Sequence, residues 1–220
     1  LTVLKGVCES PRLGLAETLN LCGDAQQPGL PVEARHVVRK VPAERMFKVK
    51  LQKLADGFGL KYDASDSNVL LVQRVTDGGA ASQWNQTAQP KIQPYDRVVE
   101  VGKFGLMSSS EMLKAIDAAS GLVELGFERP QLKEFSVRRF GQKLGLILQK
   151  LKSQTVLRSL PVKSLEANGV LMKKNLADAE TYLKSHDRII QVNGECGSLE
   201  AMLQQLLEDT ITFKCYQYAI

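Results

Sequence analysis

The sequence predicts an α+β chain dominated by short strands: two consecutive small barrels, each of about five to six strands capped by two helices. Three observations predict it. One ordered set of segments occurs twice, each copy mixes period-two runs with two stretches of helical spacing, and 220 residues suffice for two small domains. With 44% apolar and 24% charged residues, the composition is that of a soluble globular chain, not of a disordered, collagen-like or disulfide-scaffold one.

Residues 1–44 come first. Pro11, Pro28, Pro31 and Pro42 interrupt them, and their apolar patches, such as Leu13 to Leu21, are short, so they read as a non-globular arm. Within it, Arg35-His36-Val37-Val38-Arg39-Lys40 reads as a solvated basic strand or turn able to touch an anionic surface. The chain starts at Leu1, so a segment upstream, an organellar targeting peptide among the explanations, is expected to have been removed or left out.

The first module spans 45–130. Its strands run from Met46 to Gln52, Leu60 to Asp63 and Val69 to Val75, and a short helix begins near Gly79. A strand at Asp96-Arg97-Val98-Val99-Glu100-Val101, a helix carrying Met112, Leu113 and Ile116, and a closing strand from Leu122 to Phe127 complete it. The second module spans 131–218 in the same order. Its strands run from Phe135 to Arg139, Leu146 to Gln149 and Val156 to Leu160, followed by a short helix from Val162 to Ala167. Asp187-Arg188-Ile189-Ile190-Gln191-Val192, a helix with Leu199, Met202, Leu203 and Leu206, and a strand from Thr210 to Cys215 follow. The Asp-Arg segments lie 91 residues apart (96 to 187), and the glycines of Phe58-Gly59-Leu60 and Leu144-Gly145-Leu146 lie 86 apart (59 to 145). Pro130-Gln131 leaves almost no linker, so a restricted mutual orientation is expected.

Lys53-Leu54-Ala55-Asp56-Gly57-Phe58-Gly59-Leu60 has the form of a basic residue, three residues, then Gly-Φ-Gly-Φ before a strand. Arg139-Phe140-Gly141-Gln142-Lys143-Leu144-Gly145-Leu146 repeats it, with Lys143 in place of the first glycine. Together with Gly79-Ala80-Ala81 at the first helix and the two Asp-Arg strands, these segments resemble the PDZ family over residues 44 to 218; the second helix start, around Leu165-Glu166-Ala167, matches poorly. The resemblance implies two modules, each receiving an extended peptide at the edge of a sheet.

Glycine at 59 or 145 lets consecutive N–H groups converge, and such a concavity suits a carboxylate. Lys53 or Arg139 could add charge there, directly or through water. A peptide would add a strand beside Leu60 to Asp63 or Leu146 to Gln149, with Gly57 shaping the first loop and Phe58, Leu60, Leu144 and Leu146 receiving an apolar terminal side chain. The resemblance places the selectivity position at Ser109, with Leu113, in the first module and at Leu199, with Leu203, in the second. Neither is the histidine that family members selecting Ser or Thr carry there; the leucines favour an apolar residue. Tyr62, Phe140 and Trp84 read as packing residues.

The expected function is therefore a non-catalytic interaction scaffold for C-terminal or internal extended peptides, without a cofactor. The alternative is an accessory structural subunit of a larger complex, for example a photosynthetic or respiratory one beside an organellar membrane, with degenerate or occupied grooves. His36, His186 and Cys196 show no nucleophile or metal-ligand pattern, so no enzyme is expected. Attachment to a serine protease as its regulatory portion would need a catalytic domain upstream. The charge of +5 is scattered, without a basic stripe, which disfavours nucleic acid. No apolar run reaches the roughly 20 residues of a membrane-spanning helix. Cys8, Cys22, Cys196 and Cys215 lack disulfide-framework spacing, so reduced thiols and an intracellular setting are expected, cytoplasmic or in a plastid or mitochondrion; only an oxidising compartment would bridge Cys8 and Cys22.

Overall fold

The computed structural model describes residues 45–105, 108–150, 157–178 and 182–219. The arm of residues 1–44, with its basic stretch and with Cys8 and Cys22, lies outside them.

The first sheet begins with β1 (Met46–Gln52), where exposed Lys48 and Lys50 alternate with buried Val49 and Leu51. β2 (Leu60–Asp66), β3 (Val69–Val75), β4 (Arg97–Val101) and β5 (Leu122–Glu128) complete it in the antiparallel order β1-β5-β4-β3-β2. The second sheet holds β6 (Gln131–Arg138), β7 (Leu146–Leu148), β8 (Leu160–Leu165), β9 (Arg188–Val192) and β11 (Thr210–Gln217), in the order β6-β11-β9-β8-β7. A short β10 (Glu195–Cys196) pairs with β9. Both sheets are open: β1 and β2 are edges of one, β6 and β7 of the other. The expected small barrels are not closed: among the described residues no ladder joins the end strands of either sheet.

Among the described residues four helices accompany the sheets: α1 (Ala80–Thr87), α2 (Ser109–Ala118), α3 (Val170–Ala177) and α4 (Leu199–Gln205). α2 starts at a capping box in which Ser108 accepts from the Glu111 amide while the Glu111 carboxylate accepts from the Ser108 amide. α1 and α3 instead start at Gly79 and Gly169, which have no side chain to cap with. The reason is steric. A Cβ on Gly79 would lie 2.5 Å from the Gly59 Cα, and one on Gly169 would lie 2.5 Å from the Gly145 Cα.

This corrects the reading of the second module. Leu160 to Leu165 is a strand, with Leu160 and Val162 buried and Lys163 exposed, so no helix occupies Val162 to Ala167. The helix is α3, which starts eight residues, about two turns, further on, and Gly169 rather than Leu165 is the counterpart of Gly79. The strand expected from Val156 to Leu160 begins only at Leu160, since Leu157 to Ser159 are not strand, and Val156 lies outside the described residues.

Each sheet has its own apolar cluster. Val49, Leu51, Phe58, Leu70, Val72, Val98, Met112, Leu125 and Phe127 build one. Phe135, Val137, Leu160, Val162, Ile189, Met202, Ile211 and Phe213 build the other. Each fully buried large side chain contributes roughly 1.5–3 kcal/mol. A third, small cluster joins the other face of β3, through Val69 and Leu71, to Leu157 and Tyr218. That second contact explains why β3 reads Val-Leu-Leu-Val without alternation: it is covered on both faces.

Only Arg129 and Pro130 separate β5 from β6. Charged groups join the modules further. Arg188 of β9 is fully buried, its Nη1 3.5 Å from the Asp63 Oδ2 of β2, and its Nη2 donates to the Ser65 hydroxyl at 3.3 Å. At 3.5 Å the charges attract without a proper hydrogen bond, so both atoms lack a hydrogen-bond partner. His186 Nδ1 lies 2.8 Å from Asp66 Oδ2, and Gln149 Nε2 donates to the Ser65 carbonyl at 2.9 Å. Arg45 links the Glu128 carboxylate to the Gln217 carbonyl. Tyr218 Oη donates to the Tyr95 carbonyl.

Candidate functional site

In each module an edge strand and the second helix share one apolar cluster, β2 with α2 and β7 with α4, and the candidate cleft is the strip between them. The backbone leading into each strand is built alike. Gly59 and Gly145 have φ of 72° and 73°, in the left-handed region that side-chain-bearing residues rarely enter. The Phe58 carbonyl accepts from Ala81 N and the Gly59 carbonyl from Thr76 N; in the second module Leu144 O accepts from Leu171 N and Gly145 O from Glu166 N. In a planar trans peptide the following N–H points the opposite way. The amides of Gly59 and Leu60, and those of Gly145 and Leu146, are therefore turned toward the open side. Leu60 pairs with Val75 and Leu146 with Leu165 at positions where the bonds are made by the flanking residues, which directs their own N–H and C=O to the free edge.

The loops reach this geometry by different routes. Gly57 has φ of 98° in the first; in the second the left-handed residues are Phe140 and Gly141, and Lys143, the counterpart of Gly57, is not among them. The shared geometry of Gly59 and Gly145 survives that difference.

The two basic residues are engaged elsewhere. Lys53 Nζ donates to the carbonyls of Ile116 and Asp117 at 3.0 and 2.6 Å, and Arg139 Nη1 to those of Leu206 and Leu207 at 3.3 and 3.1 Å. Each cation thus caps the C-terminal end of its module's second helix, satisfying carbonyls that have no partner within the helix.

Of the apolar residues singled out in the sequence, Phe58, Leu60 and Leu113 meet in the first cluster, and Leu144, Leu146, Leu199 and Leu203 in the second. Ser109 is buried at the first turn of α2, its amide donating to the Ser67 carbonyl in the β2–β3 turn at 2.8 Å. Gln149, beyond β7, is engaged with Ser65. Four residues that the sequence marked only as packing or element positions stand beside these: Tyr62, which packs on the core as expected, and Ile116 in the first module, Leu148 and Leu206 in the second. Counting two residues on from Leu60 and Leu146, along one strand face, leads to Tyr62 and Leu148.

Of the other singled-out side chains, Trp84 packs on the first cluster and donates through Nε1 to the Pro90 carbonyl. Phe140 is not in a core. It is 69% exposed at a left-handed turn, with the Arg138 guanidinium 4.7 Å from its ring centre. Cys215 is buried and Cys196 exposed, both as free thiols; burial first, then the Asp187 carboxylate, raises the ionisation of Cys215 far above the ordinary range. Among the described residues no three His, Cys, Asp or Glu side chains are grouped to hold a metal ion, and no helix is long and apolar enough to cross a membrane.

No protein-family model matches the chain, and no curated protein matches it. Among solved structures, one titled "Complex structure of INAD PDZ45 and NORPA CC-PBM" is similar at a TM-score of 0.34 and 12% identity, covering 78% of this chain and 91% of that one.

Proposed function

We propose that the chain is a non-catalytic interaction protein of PDZ-like modules that captures an extended peptide, preferably a C-terminal tail, by adding it as a strand to a sheet edge. One observation carries this reading: a left-handed glycine turns two successive amides outward at the head of a free edge strand, beside an apolar helix face. A terminal carboxylate matches the paired N–H groups, and the peptide backbone matches the edge groups of Leu146 or Leu60. The donors to the carboxylate are backbone N–H groups, since Lys53 and Arg139 are engaged with helix ends. The leucines of the second cleft favour an apolar terminal side chain, and the chemistry needs no cofactor.

The test is a titration of the isotope-labelled chain with a C-terminal peptide library, following the amides of Gly59, Leu60, Gly145 and Leu146. Saturable shifts that weaken at least tenfold when the terminal carboxylate is amidated are expected. Leu203→Lys, on the half-buried face of α4, is the blocking control. Replacing Gly59 or Gly145 is unsuitable for that purpose, because any Cβ there meets backbone. A folded chain indifferent to every tail would overturn the reading.

One feature favours a second reading, an accessory structural subunit: the buried contact of Arg188 with Asp63 holds the modules at a fixed spacing, as a rigid spacer in an assembly requires. Stoichiometric co-purification with fixed partners, without tail binding, would select it. Under either reading the protein works in a reducing compartment, cytoplasmic or organellar.

A further inference from the structure

We propose that Tyr62 occupies the terminal-side-chain pocket of the first cleft, so that this cleft rejects tails with a large apolar end and their capture falls to the second cleft. The proposal rests on the strand-addition reading and decides which module serves it.

Tyr62 follows Leu60 by two residues on β2 and shares its face of the sheet. Despite a register shift after Lys61, its ring packs on the cluster that contains Phe58, Leu60 and Ile116, the residues that would otherwise wall the pocket. The hydroxyl is buried and has no hydrogen-bond partner. Burial and, second, the Asp117 carboxylate of α2 push its pKa far above that of a free phenol. The ring therefore lies on the apolar cluster that Phe58, Leu60 and Ile116 share, with its hydroxyl out of water. A phenol that extends into solvent would keep its hydroxyl wet.

The far end of the same cleft is narrowed independently. The Ser109 amide bonds the Ser67 carbonyl, fastening the first turn of α2 to the β2–β3 turn, and the Ser65 carbonyl of β2 is taken by Gln149 of the second module. A tail running along β2 would have to leave between these contacts.

The second cleft has Leu148 where the first has Tyr62. Its walls differ at two further positions: Leu146 and Leu199 retain partial exposure where Leu60 and Ser109 are buried, while Leu144 and Leu206 are buried like Phe58 and Ile116. A leucine ends well short of the reach of a phenol, so the pocket stays available to a ligand's side chain.

The experiment uses the full chain and two variants, Tyr62→Leu, which copies the second module, and Tyr62→Phe, which keeps the ring and removes the hydroxyl. Amide spectra and melting curves establish folding. The probes are peptide tails ending in Leu, Val or Phe. With the native chain and with Tyr62→Phe, shifts are expected at Gly145 and Leu146 alone; with Tyr62→Leu, saturable shifts are expected also at Gly59 and Leu60, with affinity there raised at least tenfold. Native chain that binds these tails at Gly59 and Leu60 as tightly as Tyr62→Leu overturns the proposal and leaves the strand-addition reading intact. So does binding confined to the second cleft in all three proteins. Binding at neither cleft in any of them overturns both.

Discussion

In the first module the cleft beside Leu60 holds a phenol, and the helix along it is fastened at its first turn to the neighbouring hairpin. In the second, Leu146 is accompanied by Leu148, Leu199 and Leu203, which keep part of their surface. Yet the backbone devices around the two are nearly identical: a left-handed glycine against a capping glycine, two carbonyls bonded inward, and a cation closing the end of the second helix. The comparison separates two kinds of constraint. Backbone contacts tolerate no side chain and hold the architecture in both copies, while the ligand-facing positions are free to differ.

The sharpest test of the shared part is alanine at Gly59 and, separately, at Gly145. Each Cβ would lie 2.7 or 2.5 Å from a facing Cα, on a left-handed backbone. Each variant is expected to lose about 3–5 kcal/mol in urea unfolding. A module that absorbs the change within about 1 kcal/mol would break the equivalence of the two turns.

Arg188→Ala probes an asymmetry next in size. It leaves Asp63 buried without its cation, and a loss of roughly 3–4 kcal/mol is expected. Because the contact spans both modules, calorimetry should show one transition in the native chain and two in the variant. A single transition in both would mean that the apolar contact of Val69 and Leu71 with Tyr218 suffices.

The paired aspartates differ as well. Asp96 bonds the Arg129 guanidinium, which opposes the upward push of burial, whereas Asp187 is met by the amides of Lys184 and Tyr218 and by Gln217, and burial drives it up to about 7. Unfolded, Asp187 titrates near ~3.9, so between about pH 4 and 7 the folded state holds a proton the unfolded chain has lost. Stability should therefore fall as pH rises through that window, by up to about 1.4 kcal/mol per unit, and level off above it. Asp187→Asn should flatten the slope in urea unfolding at pH 5, 6, 7 and 8. A slope that persists would point to another group.

The smallest expected effect is a gain. Tyr62→Phe removes a buried hydroxyl without a partner and should raise stability by about 1 kcal/mol. A loss of similar size would reveal that the hydroxyl is bonded in solution, and would place the ring differently from the account above.

Much of the architecture was legible. β1 and β3 match the expected limits, Met46 to Gln52 and Val69 to Val75, because apolar alternation or a compact apolar run stands between clear turn signals. The repeat was readable from Asp96-Arg97 and Asp187-Arg188. α3 was not, since the run from Val162 to Ala167 is short enough to suit either a strand or a helix. The decisive sign, an Asn168-Gly169 pair 90 residues after Gly78-Gly79, lay just beyond it. The open edges were not legible either, as ladder closure depends on strands distant in sequence. At the candidate site, the glycines and apolar wall residues could be named, but the engagement of Lys53 and Arg139 depends on where helix ends fall. The burial of Arg188, likewise, depends on the other module.

The junction at Arg188 also bears on the order in which the chain is made. Arg188 follows Ser65 by 123 residues. At about 5–20 residues per second, roughly 6–25 s pass on the ribosome between the two. Throughout that interval Asp63 and Asp66 have neither Arg188 nor His186 to meet. The nascent first module must keep these carboxylates hydrated and its outer β3 face uncovered. Only when translation nears the last strand can the water be expelled, so the N-terminal half reaches its final form after the C-terminal half has been synthesised.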